Sequence, residues 1–199
     1  MRLMENFGDT FDGQSVMLPL PNEVPADVPR ITLQNANNKL RLEIAPARVN
    51  FFALKTPDGQ IDKKSFLDQA RRIFETYLDT TNAVVGRLGS VLVKYWECED
   101  AGKVLASHFC KTEYLNTVLS RPEKFELHAY KRYSLEKFVV NSWVRSKTKD
   151  ESSIIVEQDL NTLSENIEKE NYSKSSMDEF FNLTSTEHES ILDRYFPKP

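Results

Sequence analysis

Between Lys124 and Leu160 apolar and polar positions alternate through three consecutive segments, the pattern of neighbouring strands in one antiparallel sheet. The segment KFELHAYKRYS leads through a short turn at Leu135 and Glu136 into LEKFVVNSWVRSKTK, and the simplest hairpin pairs Ser134 with Lys137. In that register Phe125, Leu127, Ala129 and Tyr133 share a face with Phe138, Val140 and Val144, which makes it the core candidate. The other face carries Glu126, His128, Tyr130 and Arg132 against Val139, Asn141, Trp143 and Arg145. Glu126 is then expected across from Arg145, and His128 across from Trp143. A slip of one residue in the turn would reverse every assignment. The third strand is SSIIVEQDL.

Upstream, ITLQNANNKLRLEIAPARVNFFAL reads as strand, Asn-rich turn, strand, Pro-marked bend and strand, with Leu40, Leu42 and Ile44 alternating against Arg41 and Glu43. From Asp62 the period changes to 3.6, and Phe66, Ala70, Ile73, Phe74 and Tyr77 form one stripe of an amphipathic helix. Asp62 is placed to cap it, with Ile61 packing on Phe66 as a hydrophobic staple. RLGSVLVKYWEC is rich in β-branched and aromatic residues and predicts a strand with a bend or bulge near Gly89. Residues 100 to 120 read as one or two short helices. Thr162-x-x-Glu165 and Ser176-x-x-Glu179 each have capping-box spacing. The second box opens a terminal helix that aligns Phe180, Thr184, His188, Ile191 and Tyr195, lies on the sheet and stops at Pro197. Residues 15 to 30 hold prolines at 19, 21, 25 and 29, which suits an extended arm.

These elements predict an α+β protein: a proline-rich arm over residues 1 to 30, then one domain over 31 to 199. That domain would hold a twisted antiparallel sheet of about six or seven strands, backed by the helix from Asp62 and the terminal helix. A chain of 199 residues buries enough surface to fold without staples. An apolar fraction of 40% and a charged fraction of 28% are ordinary for a globular protein, and no apolar run approaches the ~20 residues of a membrane span. With neither a basic start nor an apolar stretch of signal length at the amino terminus, the expected compartment is the cytoplasm, with no membrane partner. Cys98 and Cys110 are expected as free thiols.

The net charge of −4 is uneven. Residues 150 to 199 hold 12 acidic and 4 basic side chains, and residues 1 to 149 hold 18 acidic and 22 basic. So mild a basic excess lacks the clustered Lys and Arg of a nucleic-acid surface.

Chemistry has few footholds in the sequence. The face bearing His128, Tyr130, Trp143 and Arg145 is the binding candidate, since a rigid sheet presenting aromatic planes beside donors can stack a ring or a peptide side chain. The same residues would serve as packing if a helix covered that face. His188 has Glu187 and Glu189 beside it, but sequence neighbours diverge around a helix, and a histidine packed at a helix–sheet boundary is the simpler reading. Glu157 and Asp159 share one strand face, as two-carboxylate sites and solvated strands both do. Gly86-x-x-Gly89 lacks the features of a phosphate loop. Three histidines and no CxxC give a metal little support, no cofactor is expected, and no catalytic motif emerges.

Four pieces in order, VPRITLQNANNKLRLEIAPARVNFF, VGRLGSVLVKYWE, IIVEQDL and EHESILDRYF, resemble a sporadically distributed bacterial family of uncharacterised proteins of about this length. Arg87, Gly89, His188 and Phe196 match its pattern, whereas the strand that in relatives continues Tyr-x-Asn reads Tyr95-Trp96-Glu97 here. In element order alone the chain is similar to SecB-like chaperones. The reading that follows is a cytoplasmic binding or assembly protein without an evident catalytic site, engaging a protein partner or itself. A SecB-like or antitoxin-associated holdase and an enzyme whose site assembles from separate strands are the alternatives.

Overall fold

The computed structural model describes residues 7–21, 23–54, 62–117 and 119–195, the side chain of Asp193 excepted. The protein is α+β, and among the described residues its strands form two antiparallel sheets of four. The chain divides into two compact units, residues 1–83 and 84–199, with the boundary inside the stretch expected as one domain.

In the first unit β1 (Ser15–Met17), β2 (Ile31–Gln34), β3 (Leu40–Ala45) and β4 (Arg48–Ala53) lie side by side in chain order. Residues 15–17 of the proline-rich segment are thus an edge strand, and the four prolines fall in the connection to β2, where no ladder donor is needed. Asn38 takes a left-handed conformation in the Asn-rich turn, which asparagine tolerates better than most residues. Pro46 and Ala47 form the two-residue loop between β3 and β4. Helix α1 (Lys63–Thr81) starts where Asp62 accepts a hydrogen bond from the Lys64 amide and ends at left-handed Asn82. Its Ile73 joins Leu33, Leu42 and Ile44 in the core, with Tyr77 packed against them and Phe66 stacked on Phe51. Ile61, expected as the staple, lies outside the described residues.

The second unit holds a sheet in the order β5 (Gly89–Glu97), β8 (Ser153–Thr162), β7 (Phe138–Asp150), β6 (Glu126–Leu135). Helices α2 (Ala101–Phe109) and α3 (Thr112–Leu115) follow β5, and α4 (Lys174–Tyr195) closes the unit. Leu105 and Leu192 pack with Val144, Ile154 and Val156 on one face of this sheet. The single sheet expected from sequence is therefore two, because the ladder stops at β4 and each sheet has its own helical cover. Alternation reveals which residues share a face but not which strands become neighbours.

The β6–β7 hairpin turns one residue later than expected. Leu135 pairs with Phe138, Glu136 is left-handed, and the ladder is shifted by two from the predicted one. Closing there keeps Leu135 opposite buried Phe138 instead of exposing it in the turn. An even shift preserves the faces, so Phe138, Val140 and Val144 are buried as expected. The cross-strand partners do change: His128 faces Arg145, Tyr130 faces Trp143, and Glu126 faces Lys147.

Three smaller corrections have local causes. β5 runs without a bulge, and the register shift occurs instead in β7 between Thr148 and Asp150. Thr162 opens no capping box, since it ends β8 with its hydroxyl accepting from the Leu88 amide. Helix α4 begins a turn before the expected box, with Ser173 Oγ accepting from the Ser176 amide. It buries Phe180, Thr184, His188 and Leu192 while Tyr195 is exposed. Phe196 and Pro197 lie outside the described residues.

Candidate functional site on the outer face of the second sheet

Because α2 and α4 pack on one face of the second sheet, residues of opposite parity point the other way, and register aligns them in rows across all four strands. One row runs Val91, Asp159, Trp143, Tyr130 and the next Val93, Glu157, Arg145, His128, followed by Tyr95, Ile155, Lys147, Glu126. The structure thus brings the four predicted residues into two adjacent rows. Trp143 is 37% exposed and Tyr130 47%.

Neighbours hold this patch in place. The Tyr130 and Trp143 rings lie 4.5 Å apart between centroids, and the Arg145 guanidinium sits 5.8 Å from the Trp143 ring. Arg145 Nη1 also donates to Glu157 Oε1 at 2.5 Å, a charge-assisted bond that orients it beside the indole. The Tyr130 hydroxyl donates to Asn141 Oδ1 at 2.7 Å, and Arg132 Nε donates to the same oxygen at 2.9 Å while Arg132 Nη2 reaches Glu165. His128 Nε2 stands 3.7 Å from Glu126 Oε2. Asp159, half-buried beside Trp143, has its carboxyl pushed above the ordinary range, chiefly by burial.

Sequence reasoning missed the contribution of β5. Val91 and Val93 are 57% and 52% exposed on the same face, and Tyr95 continues the stripe with Lys149 Nζ 5.1 Å above its ring. Their period-two spacing was the available signal. The face therefore offers an apolar edge on β5, the two carboxylates Asp159 and Glu157 along β8, and an aromatic and basic flank on β7 and β6. That composition, with Tyr, Trp and Arg at its centre, resembles the energetic core of protein interfaces.

On the opposite face lies a second polar cluster, made of residues from β5, β7, β8 and α4. Gln158 Nε2 donates to Ser142 Oγ at 3.4 Å, which leaves Gln158 Oε1 to accept from His188 Nδ1 at 3.0 Å. His188 Nε2 then accepts from Ser90 Oγ, also at 3.0 Å. His188 is 3% exposed and Gln158 fully buried, so the chain of bonds ties α4 to the sheet core. Arg87 Nε donates to the Thr162 carbonyl nearby, and a Cβ on Gly89 would stand 2.6 Å from Asn161 Oδ1. Arg87, Gly89 and Ser90, the partner of His188, are thus consecutive or nearly so at and just before the start of β5.

Beside this cluster the Tyr133 hydroxyl donates to Glu187 Oε1 at 2.6 Å, and burial raises its pKa. Cys98 and Cys110 are free, with burial pushing the Cys98 thiol up. Among the described residues no group of three or more His, Cys, Asp or Glu is arranged to hold a metal ion, and no helix is long and apolar enough to cross a membrane. No protein-family model, characterised protein or solved structure matches this chain.

Proposed function

We propose that this is a cytoplasmic binding or assembly protein that engages a protein partner, or a copy of itself, through the outer face of its second sheet. The observation that carries this reading is the exposed Tyr130–Trp143 pair with Arg145 and His128 in the adjoining row, on a sheet whose other face is covered by helices. Large rings presented at the surface of a rigid sheet lose little entropy on contact. The exposed Val91 and Val93 widen the apolar area such a partner would cover. The reading carries no catalytic step, and it accords with membership of the bacterial family that Arg87, Gly89, His188 and Phe196 suggest. A SecB-like holdase would use the same apolar stripe on unfolded clients, and suppression of client aggregation by the purified protein would favour that version.

Tagged protein purified from its native host, with co-eluting proteins identified, tests the leading reading. A specific partner retained by the wild type and lost from Trp143→Ala, with the melting temperature of the variant lowered by only about 2–4 °C, is the expected result. Equal retention by both would remove the face from the account.

One observation favours a second reading, an enzyme assembled from separate strands. Ser90, His188 and Gln158 have the order of hydrogen bonds found in nucleophilic triads. Gln158 brings no negative charge to stabilise an imidazolium, and the burial of His188 suits a structural tie better. Labelling of Ser90 by a fluorophosphonate probe, abolished in His188→Gln, would favour the enzyme, and an unlabelled chain the binding protein.

A further inference from the structure

Among the described residues strand β5 is hydrogen-bonded on one side, to β8, and forms an edge of the second sheet. Its ladder determines which backbone groups face outward. Cys98 N donates to Ser152 O at one end and Thr162 N to Leu88 O at the other, with uninterrupted register between. Ser90, Leu92, Lys94 and Trp96 therefore bond to β8, and Gly89, Val91, Val93, Tyr95 and Glu97 direct their N–H and C=O groups to the open edge. Natural edges are usually guarded by charge, proline or a bulge. The opposite edge, β6, carries Glu126, His128, Lys131 and Arg132, whereas β5 has nine residues, no proline, no bulge and only Lys94 and Glu97 charged.

We propose that β5 is a homodimer interface, on which a second copy of this chain pairs antiparallel about a two-fold axis through Val93. The occupant is argued from self-complementarity. Centred on Val93, the pairing uses the full strand: Val93 meets the partner's Val93, Val91 the partner's Tyr95, and Gly89 the partner's Glu97. Each of these pairs joins residues whose polar groups point outward, so every free donor and acceptor of the edge finds a partner. On the exposed face Tyr95 lies across from a β-branched residue, a favourable cross-strand combination. Lys94 falls opposite Leu92, and no like charges oppose one another directly. Moving the axis to Lys94 would oppose two lysines, and moving it to Leu92 would shorten the ladder. The result is one continuous sheet of eight strands with both outer faces on the same side. This interface uses the backbone edge of β5, whereas the contact surface proposed above is centred on Tyr130, Trp143 and Arg145 of β6 and β7 and meets it only at Val91, Val93 and Tyr95. A monomeric wild type would leave that centre standing.

Sedimentation velocity of the full chain across a range of micromolar concentrations tests the interface. The wild type is expected at twice the monomer mass, and Val93→Lys, which opposes two ammonium groups across the axis, is expected to raise the dissociation constant by roughly tenfold or more. Val93 points to solvent, so at a concentration dilute enough for both proteins to be monomeric the circular dichroism melt of the variant should match the wild type. In a Cys98→Ser, Cys110→Ser background, Val93→Cys should cross-link two chains on mild oxidation, because directly paired Cα atoms lie about 5.5 Å apart. Val91→Cys, facing Tyr95, should not. A monomer at every concentration, a dimer indifferent to Val93→Lys, or cross-linking through Val91→Cys and not Val93→Cys would overturn the proposal. So would a monomer that adds an extended peptide of another protein to this edge.

Discussion

Tyr130 and Trp143 face each other across β6 and β7 with their ring planes inclined by 43°, both on the side of the sheet away from the helices. Aromatic pairs of this kind contribute about 0.5–1.5 kcal/mol beyond area burial. Trp143→Ala should therefore lower stability by about 1 kcal/mol, read from the midpoint of urea unfolding. A loss above about 3 kcal/mol would mean that the indole belongs to a packed core.

His188 occupies the opposite position in the energetics. Truncation to Ala removes buried volume and withdraws the partner of Gln158 Oε1 and of Ser90 Oγ at once. His188→Ala should cost about 2–4 kcal/mol by the same measurement. An unchanged midpoint would show that the polar chain does not hold α4 to the sheet.

Gly102 tests the packing of α2. A Cβ at this position would stand 1.7 Å from the Pro122 carbonyl oxygen, a backbone atom that cannot turn away. Although Ala is the better helix former, Gly102→Ala should destabilise the protein by about 2 kcal/mol or more, since overpacking outweighs the propensity gain. Thermal unfolding followed by circular dichroism would register the drop, and a stabilised variant would contradict the close approach.

Asp159 predicts a pH dependence. Burial raises its folded pKa above the ordinary 3.8, so the folded state binds the proton more tightly than the unfolded chain does. Stability should then fall as pH rises from the ordinary value through the raised one, and the penalty should persist at neutral pH. Asp159→Asn should raise the melting temperature at pH 7, with the gain vanishing below about pH 4. A gain of equal size at acid pH would trace the effect to hydrogen bonding instead of ionisation.

Much of this architecture is legible in the residues, and the exceptions have causes. The meander from Ile31 to Ala53, the helix after Asp62 and the burial of Phe138, Val140 and Val144 all follow from local periodicity. The hairpin register escaped because left-handed Glu136 and the pull of Leu135 toward Phe138 are decided by core packing, to which alternation is blind. The split into two sheets escaped for a related reason, since an edge strand and a central strand can share one pattern. His128, Tyr130, Trp143 and Arg145 could be grouped from parity alone. Val91, Val93 and Glu157 joined them only when β8 was seen to lie between β5 and β7. The Ser90–His188–Gln158 chain spans residues too distant in sequence for any spacing rule.

The contact face is tested most directly by hydroxyl-radical footprinting of the protein alone and in the complex recovered from its native host. Oxidation of Trp143, Tyr130 and His128 is expected to fall several-fold in the complex, while Tyr114, also exposed but in α3, keeps its reactivity. Unchanged oxidation of Trp143 and Tyr130 together with protection elsewhere would contradict the account.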